Sequence, residues 1–177
     1  MKKGLVILLS AMIGASVFVG CGSSNSSVKE PQKQEQTKEV KNTIPEMKLG
    51  EPFEVKTEIG DYTLTINSIK TTDERNEFEK EQPKQVIIID YQYENKNFQN
   101  SDGQKLYIDS NAFVVMDEEG NVLRTYPSNI DKMPQPVPVG GKCTAQIAYG
   151  VPTDSKTIKL QFERQNKPIG EMIVDIN

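Results

Sequence analysis

The chain has 177 residues, with 21 basic and 25 acidic side chains, a net charge of -4, two cysteines and neither histidine nor tryptophan. The missing histidine excludes Ser-His-Asp and Cys-His catalytic units, histidine metal ligands, and any side chain whose ordinary pKa lies near neutrality. The acidic balance argues against a nucleic-acid partner, because affinity for phosphates comes mainly from Lys and Arg.

In chain order, Lys2 and Lys3 form a short basic start, followed by an uncharged run from Gly4 to Gly20 that ends at Cys21. This is the pattern of an export signal. The tail Phe18-Val19-Gly20-Cys21 resembles the bacterial lipobox, in which a small residue before cysteine directs cleavage and a diacylglycerol thioether is left on the new N-terminus. Phe18 and Val19 replace the usual Leu and Ala or Ser. The run lies at the bottom of the ~17–25 residues that span a bilayer, and the polar Gly22-Ser23-Ser24-Asn25 follows it instead of a basic stop-transfer cluster. The reading is a lipoprotein signal peptide over residues 1–20, with Cys21 carrying the acyl anchor. That places the protein on the extracytoplasmic face of the cell membrane. Acylation consumes Cys21 and leaves Cys143 without a disulfide partner, so the fold must rest on a hydrophobic core.

Residues 21–46 are rich in Ser, Lys, Glu, Gln, Thr and Pro, and only Val28, Val40 and Ile44 are sizeable and apolar. Such a segment buries too little surface to offset its ordering entropy and is expected to be a disordered tether. With a coil dimension of ~5–6 Å × √n, it gives a mean span of roughly 25–30 Å.

Residues 47–177 read as one all-β domain, with short alternating runs between turn signals and no long amphipathic helix. Phe53 and Val55 alternate with Glu54 and Lys56, and a turn is expected at Gly60-Asp61. Tyr62, Leu64 and Ile66 share a face, and Ile69 breaks the phase as a bulge would. Gln85 to Asn95 predicts a central strand, with Ile87, Ile89, Tyr91 and Tyr93 on one side and a face that turns from apolar to polar on the other. Leu106 with Ile108, and Phe113 with Val115, predict two more strands, and Asp117 to Asn121 a hairpin turn leading to Val122 and Leu123. The last three strands carry Cys143, Ala145, Ile147 and Tyr149; then Ile158, Leu160 and Phe162; then Met172, Val174 and Ile176. About eight strands at this spacing fit a two-layer sandwich.

The run Val86-Ile87-Ile88-Ile89-Asp90-Tyr91-Gln92-Tyr93-Glu94-Asn95-Lys96-Asn97, the segment Phe113 to Asn121, and Pro138-Val139-Gly140-Gly141-Lys142 entering a strand that ends near Val151-Pro152 carry a family resemblance. Together they resemble the uncharacterised Ig-like domain of Gram-positive lipoproteins, grouped with immunoprotective extracellular Ig-like domains. The resemblance covers most of Leu49 to Ile176 and implies an Ig-like β-sandwich on the outer face of the membrane. It implies no catalytic residue.

Candidate sites are few. Cys143 alternates with core-facing residues and reads as a packed thiol rather than a reactive one. Asp73, Glu74, Glu77, Glu79 and Glu81 form an acidic cluster, but the spacing of a calcium loop is absent and Arg75, Lys80 and Lys84 intervene, so a solvated loop is expected. Asp117, Glu118 and Glu119 invite a metal or acid-base reading, yet a charged hairpin tip needs none. No phosphate or dinucleotide motif occurs, and neither a cofactor nor a metal site is read. Tyr126 to Gly141 is long for a connection and is stiffened by Pro134, Pro136 and Pro138. Ile130, Met133 and Val137 are its apolar candidates for partner contact, against the alternative that Ile130 and Val137 simply cover the sandwich edge. The expected function is a non-enzymatic binding module, displayed by its lipid anchor to an unspecified protein or cell-envelope ligand. The other class is a carboxylate- or metal-dependent hydrolase, which would need acidic side chains from separate loops to converge.

Overall fold

The computed structural model describes residues 43–176. The expected signal peptide, Cys21 and most of the polar linker lie outside the described residues. Eight strands build an all-β, Ig-like sandwich: β1 (Phe53–Thr57), β2 (Gly60–Thr72), β3 (Gln85–Asn95), β4 (Phe113–Met116), β5 (Arg124–Thr125), β6 (Lys142–Val151), β7 (Thr157–Arg164) and β8 (Lys167–Asp175). One sheet runs β1-β2-β3-β6-β5 and the other β4-β7-β8, with every named pair antiparallel. Among the described residues no helix is long and apolar enough to cross a membrane.

The alternation seen in the sequence sets the two inner faces. Tyr62, Leu64, Ile66, Ile87, Ile89, Tyr91 and Tyr93 of the larger sheet are buried against Phe113, Val115, Ile158, Leu160, Phe162 and Met172 of the smaller one. Tyr91 meets Phe113 edge-on with ring centroids 5.2 Å apart, and Phe113 continues to Phe162 at 5.8 Å, so an aromatic chain crosses between the layers. The expected bulge is present: the β2–β3 register shifts between Ile66 and Ser68, and Ile69 returns to the core. β3 is central, and its outer face carries an apolar cluster at one end, where Val86 packs with Tyr126 and Ala148 beside the partly buried Ile88 and Ile130.

Three local expectations are corrected. The first turn consists of Glu58 and Ile59, and Gly60 already pairs with Thr57. Gly60 has φ +119° and stands so close to Asn97 that a Cβ would overlap its carbonyl oxygen, so only glycine fits there. Leu106 and Ile108 are fully buried but form no strand, since the only ladder contact of this segment is a single bridge from Leu106 to Val137. The Asp117–Asn121 turn starts as a hairpin, with Met116 bridged to Val122 and Leu123 N–H donating to Val115 O at 2.8 Å, but the returning strand then crosses to the other sheet as β5.

Backbone pairing begins ahead of Met47. Glu171 N–H donates to Pro45 O at 2.9 Å and Met47 N–H to Glu171 O at 2.7 Å, laying residues 45–47 parallel to the outer edge of β8. Met47 is buried there over Gly170 and Phe53.

Candidate interaction face

Two loops singled out separately in the sequence, the acidic Asp73–Lys84 segment and the Tyr126–Gly141 connection, meet in the structure. Tyr126 leaves β5 with its backbone N–H bonded to Ala148 O at 2.8 Å. Its hydroxyl accepts from Asn76 N–H at 2.6 Å and donates to Gln82 Oε1 at 2.9 Å. Asn76 Nδ2 donates to Pro127 O at 3.1 Å, and Gln82 Nε2 donates to the carbonyls of Asn76 and Glu79 at 2.7 and 2.9 Å. A loop rich in like charges is thereby tied down at its base by neutral hydrogen bonds, which do not weaken with salt.

The second loop is a strap along the edge of β6. Gln146 N–H donates to Lys132 O at 2.8 Å, and the Lys132 ammonium reaches Asp90 Oδ2 at 2.7 Å on the outer face of β3. Gln146 Nε2 at 3.1 Å and Asn67 Nδ2 at 2.7 Å complete the donors around Asp90. Partial burial works to raise the Asp90 pKa, but those donors and the Lys132 charge outweigh it and hold the carboxyl below its ordinary range. Further on, the Tyr93 hydroxyl bonds Gln135 O at 2.6 Å, and Leu106 and Val137 exchange backbone bonds at 3.1 and 2.7 Å. The strap therefore closes a sheet edge that β5 alone covers for only two residues.

The three strap residues expected to touch a partner are placed differently from one another. Ile130 is half-buried against the small outer cluster, and Met133 is 58% exposed. Val137 is 3% exposed and belongs to the main core, so a partner has no access to it. Its alternation with prolines hid this, because the strand-like bridge to Leu106 is a tertiary contact. The sequence reading also missed Phe78, the most exposed large apolar side chain described, at 85%. The available signal was one aromatic residue set among Glu77, Glu79 and Glu81.

The other candidates have structural roles. Both oxygens of Asp117 are occupied: Oδ1 accepts from the N–H groups of Glu119 and Asn121, and Oδ2 from Asn121 Nδ2 and Thr153 Oγ1. Burial pushes its pKa upward, and these donors more than reverse the shift. Glu118 Oε1 accepts from the N–H and hydroxyl of Thr157 at 3.0 Å. No group of three or more metal-ligating side chains occurs among the described residues. Cys143 lies on the core-facing side as its alternation predicts, but it is only partly buried there, not packed away as expected.

A family model described as a domain of unknown function, DUF4352, matches residues 48–171. The chain belongs to the DUF4352 family. The match contains both loops of the face, which is therefore part of the DUF4352 domain rather than an appendage to it. Among solved structures, the chain is similar to MPT63, a secreted protein from Mycobacterium tuberculosis, at 13% identity and a TM-score of 0.54 over 73% of this chain and 97% of that one. It also matches the YjhA protein of Bacillus subtilis at 17% identity and a TM-score of 0.49, over 73% and 99% of the two chains. The likeness to MPT63 concerns the fold and agrees with the sandwich described above. No curated protein matches the chain.

Proposed function

We propose that this protein is a membrane-anchored extracytoplasmic interaction module. In this reading residues 1–20 are a lipoprotein signal peptide, Cys21 carries the lipid, the polar residues that follow are a tether, and the DUF4352 sandwich presents the two-loop face to a protein or cell-envelope partner. The basic start, uncharged run and Gly20-Cys21 boundary support the anchor. The observation that carries the binding role is the Tyr126 hydroxyl, which ties both loops together while Phe78 stays 85% exposed on the loop it holds. An ordered, apolar-tipped loop on a rigid sandwich loses little entropy on binding.

Two experiments in intact cells test this. Metabolic labelling with a fatty acid should tag the wild type and miss Cys21→Ala, and equal labelling of both overturns the anchor. A photoreactive residue at position 78 should capture a discrete partner that the same residue at position 173 does not. Ile173, on the opposite sheet, is the control because it is comparably exposed. Absence of any adduct specific to position 78 overturns the binding role.

A further inference from the structure

The loop that carries Phe78 holds five carboxylates and three basic side chains, and most of its positive charge is already engaged. Arg75 turns its guanidinium onto the carbonyls of Thr72, Glu74 and Lys84 at 2.8, 2.9 and 3.2 Å. The Lys84 ammonium meets Asp154 Oδ2 at 2.6 Å. Glu77, Glu79 and Glu81 form no ion pair among the described residues, so Phe78 is flanked in the chain by carboxylates that no cation neutralises, with Lys80 as the one uncommitted base of the loop. Grooves open on both sides of the loop. One of ≈ 370 Å³ runs from Glu74 and Glu77 past Phe78 to Pro127 and Ser128. The other, of ≈ 460 Å³, lies between Glu79, Glu81 and Pro83 on one wall and Val122, Arg124 and Pro127 on the other. Val122 is 64% exposed. Pro127 lines both grooves, so apolar surface continues beneath the acidic tip.

We infer that this tip takes a lysine- or arginine-rich extended segment of a partner protein, whose large apolar side chain seats beside Phe78 and Pro127 while its basic side chains meet Glu77, Glu79 and Glu81. The inference rests on the interaction-module reading above and adds the chemistry of the partner. Charge complementarity selects the occupant: carboxylates around an apolar anchor attract a cationic chain and repel the anionic headgroups that draw basic proteins to membranes. Grooves of this size accept individual side chains, and a central aromatic with a polar rim is the usual layout of a binding hot spot.

The test uses the full chain and two sets of short synthetic peptides, one built from Lys, Arg, Leu and Phe and the other identical except for Glu in place of every Lys and Arg. Binding is read by fluorescence anisotropy. The cationic set should bind at low salt, and Phe78→Ser should weaken it by ~10-fold or more. Combined Glu77→Gln, Glu79→Gln and Glu81→Gln should also weaken binding and flatten its salt dependence, with melting temperatures unchanged because all four side chains are exposed. Equal binding of both peptide sets, or no effect of Phe78→Ser, overturns the inference. So does Phe78-dependent binding to phosphatidylglycerol vesicles in place of the peptides, which would make a membrane the occupant. A specific crosslink from position 78 in cells without affinity for cationic peptides overturns this partner chemistry alone and leaves the module reading standing.

Discussion

The Tyr126 hydroxyl lies 2.6 Å from the backbone nitrogen of Asn76, fifty positions earlier in the chain. One phenol thus fixes the base of the most highly charged loop to the start of the strap, and its ring at the same time covers Val86 and Ala148. Packing and loop position are coupled through a single side chain.

Tyr126→Phe keeps the ring and removes both hydroxyl contacts. The expected loss of global stability is about 1–2 kcal/mol, from two net hydrogen bonds of ordinary strength. The sharper signature is local: hydrogen exchange at the Asn76 amide should accelerate, while amides in β3 and β6 change only by the global amount. An Asn76 amide as protected as in the wild type would contradict the coupling.

Along the strap, burial separates residues that look alike in sequence. Val137→Ser places a hydroxyl in the main core and should cost about 2–4 kcal/mol. Met133→Ser changes a surface side chain and should stay within ~0.5 kcal/mol. Urea midpoints of the two variants give the comparison directly, and similar midpoints would mean the strap is not seated as described.

At Gly60 a methyl group would strike the backbone of Asn97 in a φ region that other residues rarely adopt. Gly60→Ala should therefore cost at least ~3 kcal/mol. Chevron or equilibrium unfolding measures it, and a variant as stable as the wild type would show that the β1–β2 hairpin and the Asn97 turn are not in contact.

Acid and alkali should destabilise the domain through different groups. The folded-state pKa values of Asp90, Asp117 and Glu171 are depressed: burial opposes this for both aspartates but donors prevail, and for Glu171 the bond from Lys159 leads. Their stabilisation is present above the unfolded carboxylate pKa and is lost as pH falls through the lower folded values, below about pH 4. Asp90→Asn with Asp117→Asn should flatten that acid limb. Burial raises Tyr62 to about 12 and drives Tyr91, Tyr93 and Tyr149 up as well. The unfolded chain then loses those protons first, and stability should fall as pH rises above about 10. Tyrosinate absorbance should appear together with loss of the β-type dichroism; ionisation of these four rings without unfolding would contradict their burial.

Strict alternation made β3, β6, β7 and β8 legible, because a period of two residues places every second side chain on the core face whatever the sheet does globally. The bulge was legible for the same reason, through the phase error at Ile69. Sheet membership was not: β4 and β5 flank one turn yet belong to opposite layers, and nothing local in Asp117-Glu118-Glu119-Gly120-Asn121 records the crossing. The tight β7–β8 turn at Gln165 and Asn166 carries no glycine signal, although both residues take positive φ. The face was half legible. Each loop was suspect from its composition, but the hydrogen bonds joining them depend on folded-state proximity, and Phe78 mattered only once its exposure was known.

The parallel pairing of residues 45–47 with β8 joins the first described segment to the eighth strand. Such a join cannot form on a nascent chain, because the binding site for Met47 is created only when Gly170 and Glu171 have been synthesised and docked. Contacts of this separation slow folding. A chain made N-terminus first would thus carry residues 45–47 unlatched until β8 had followed and docked.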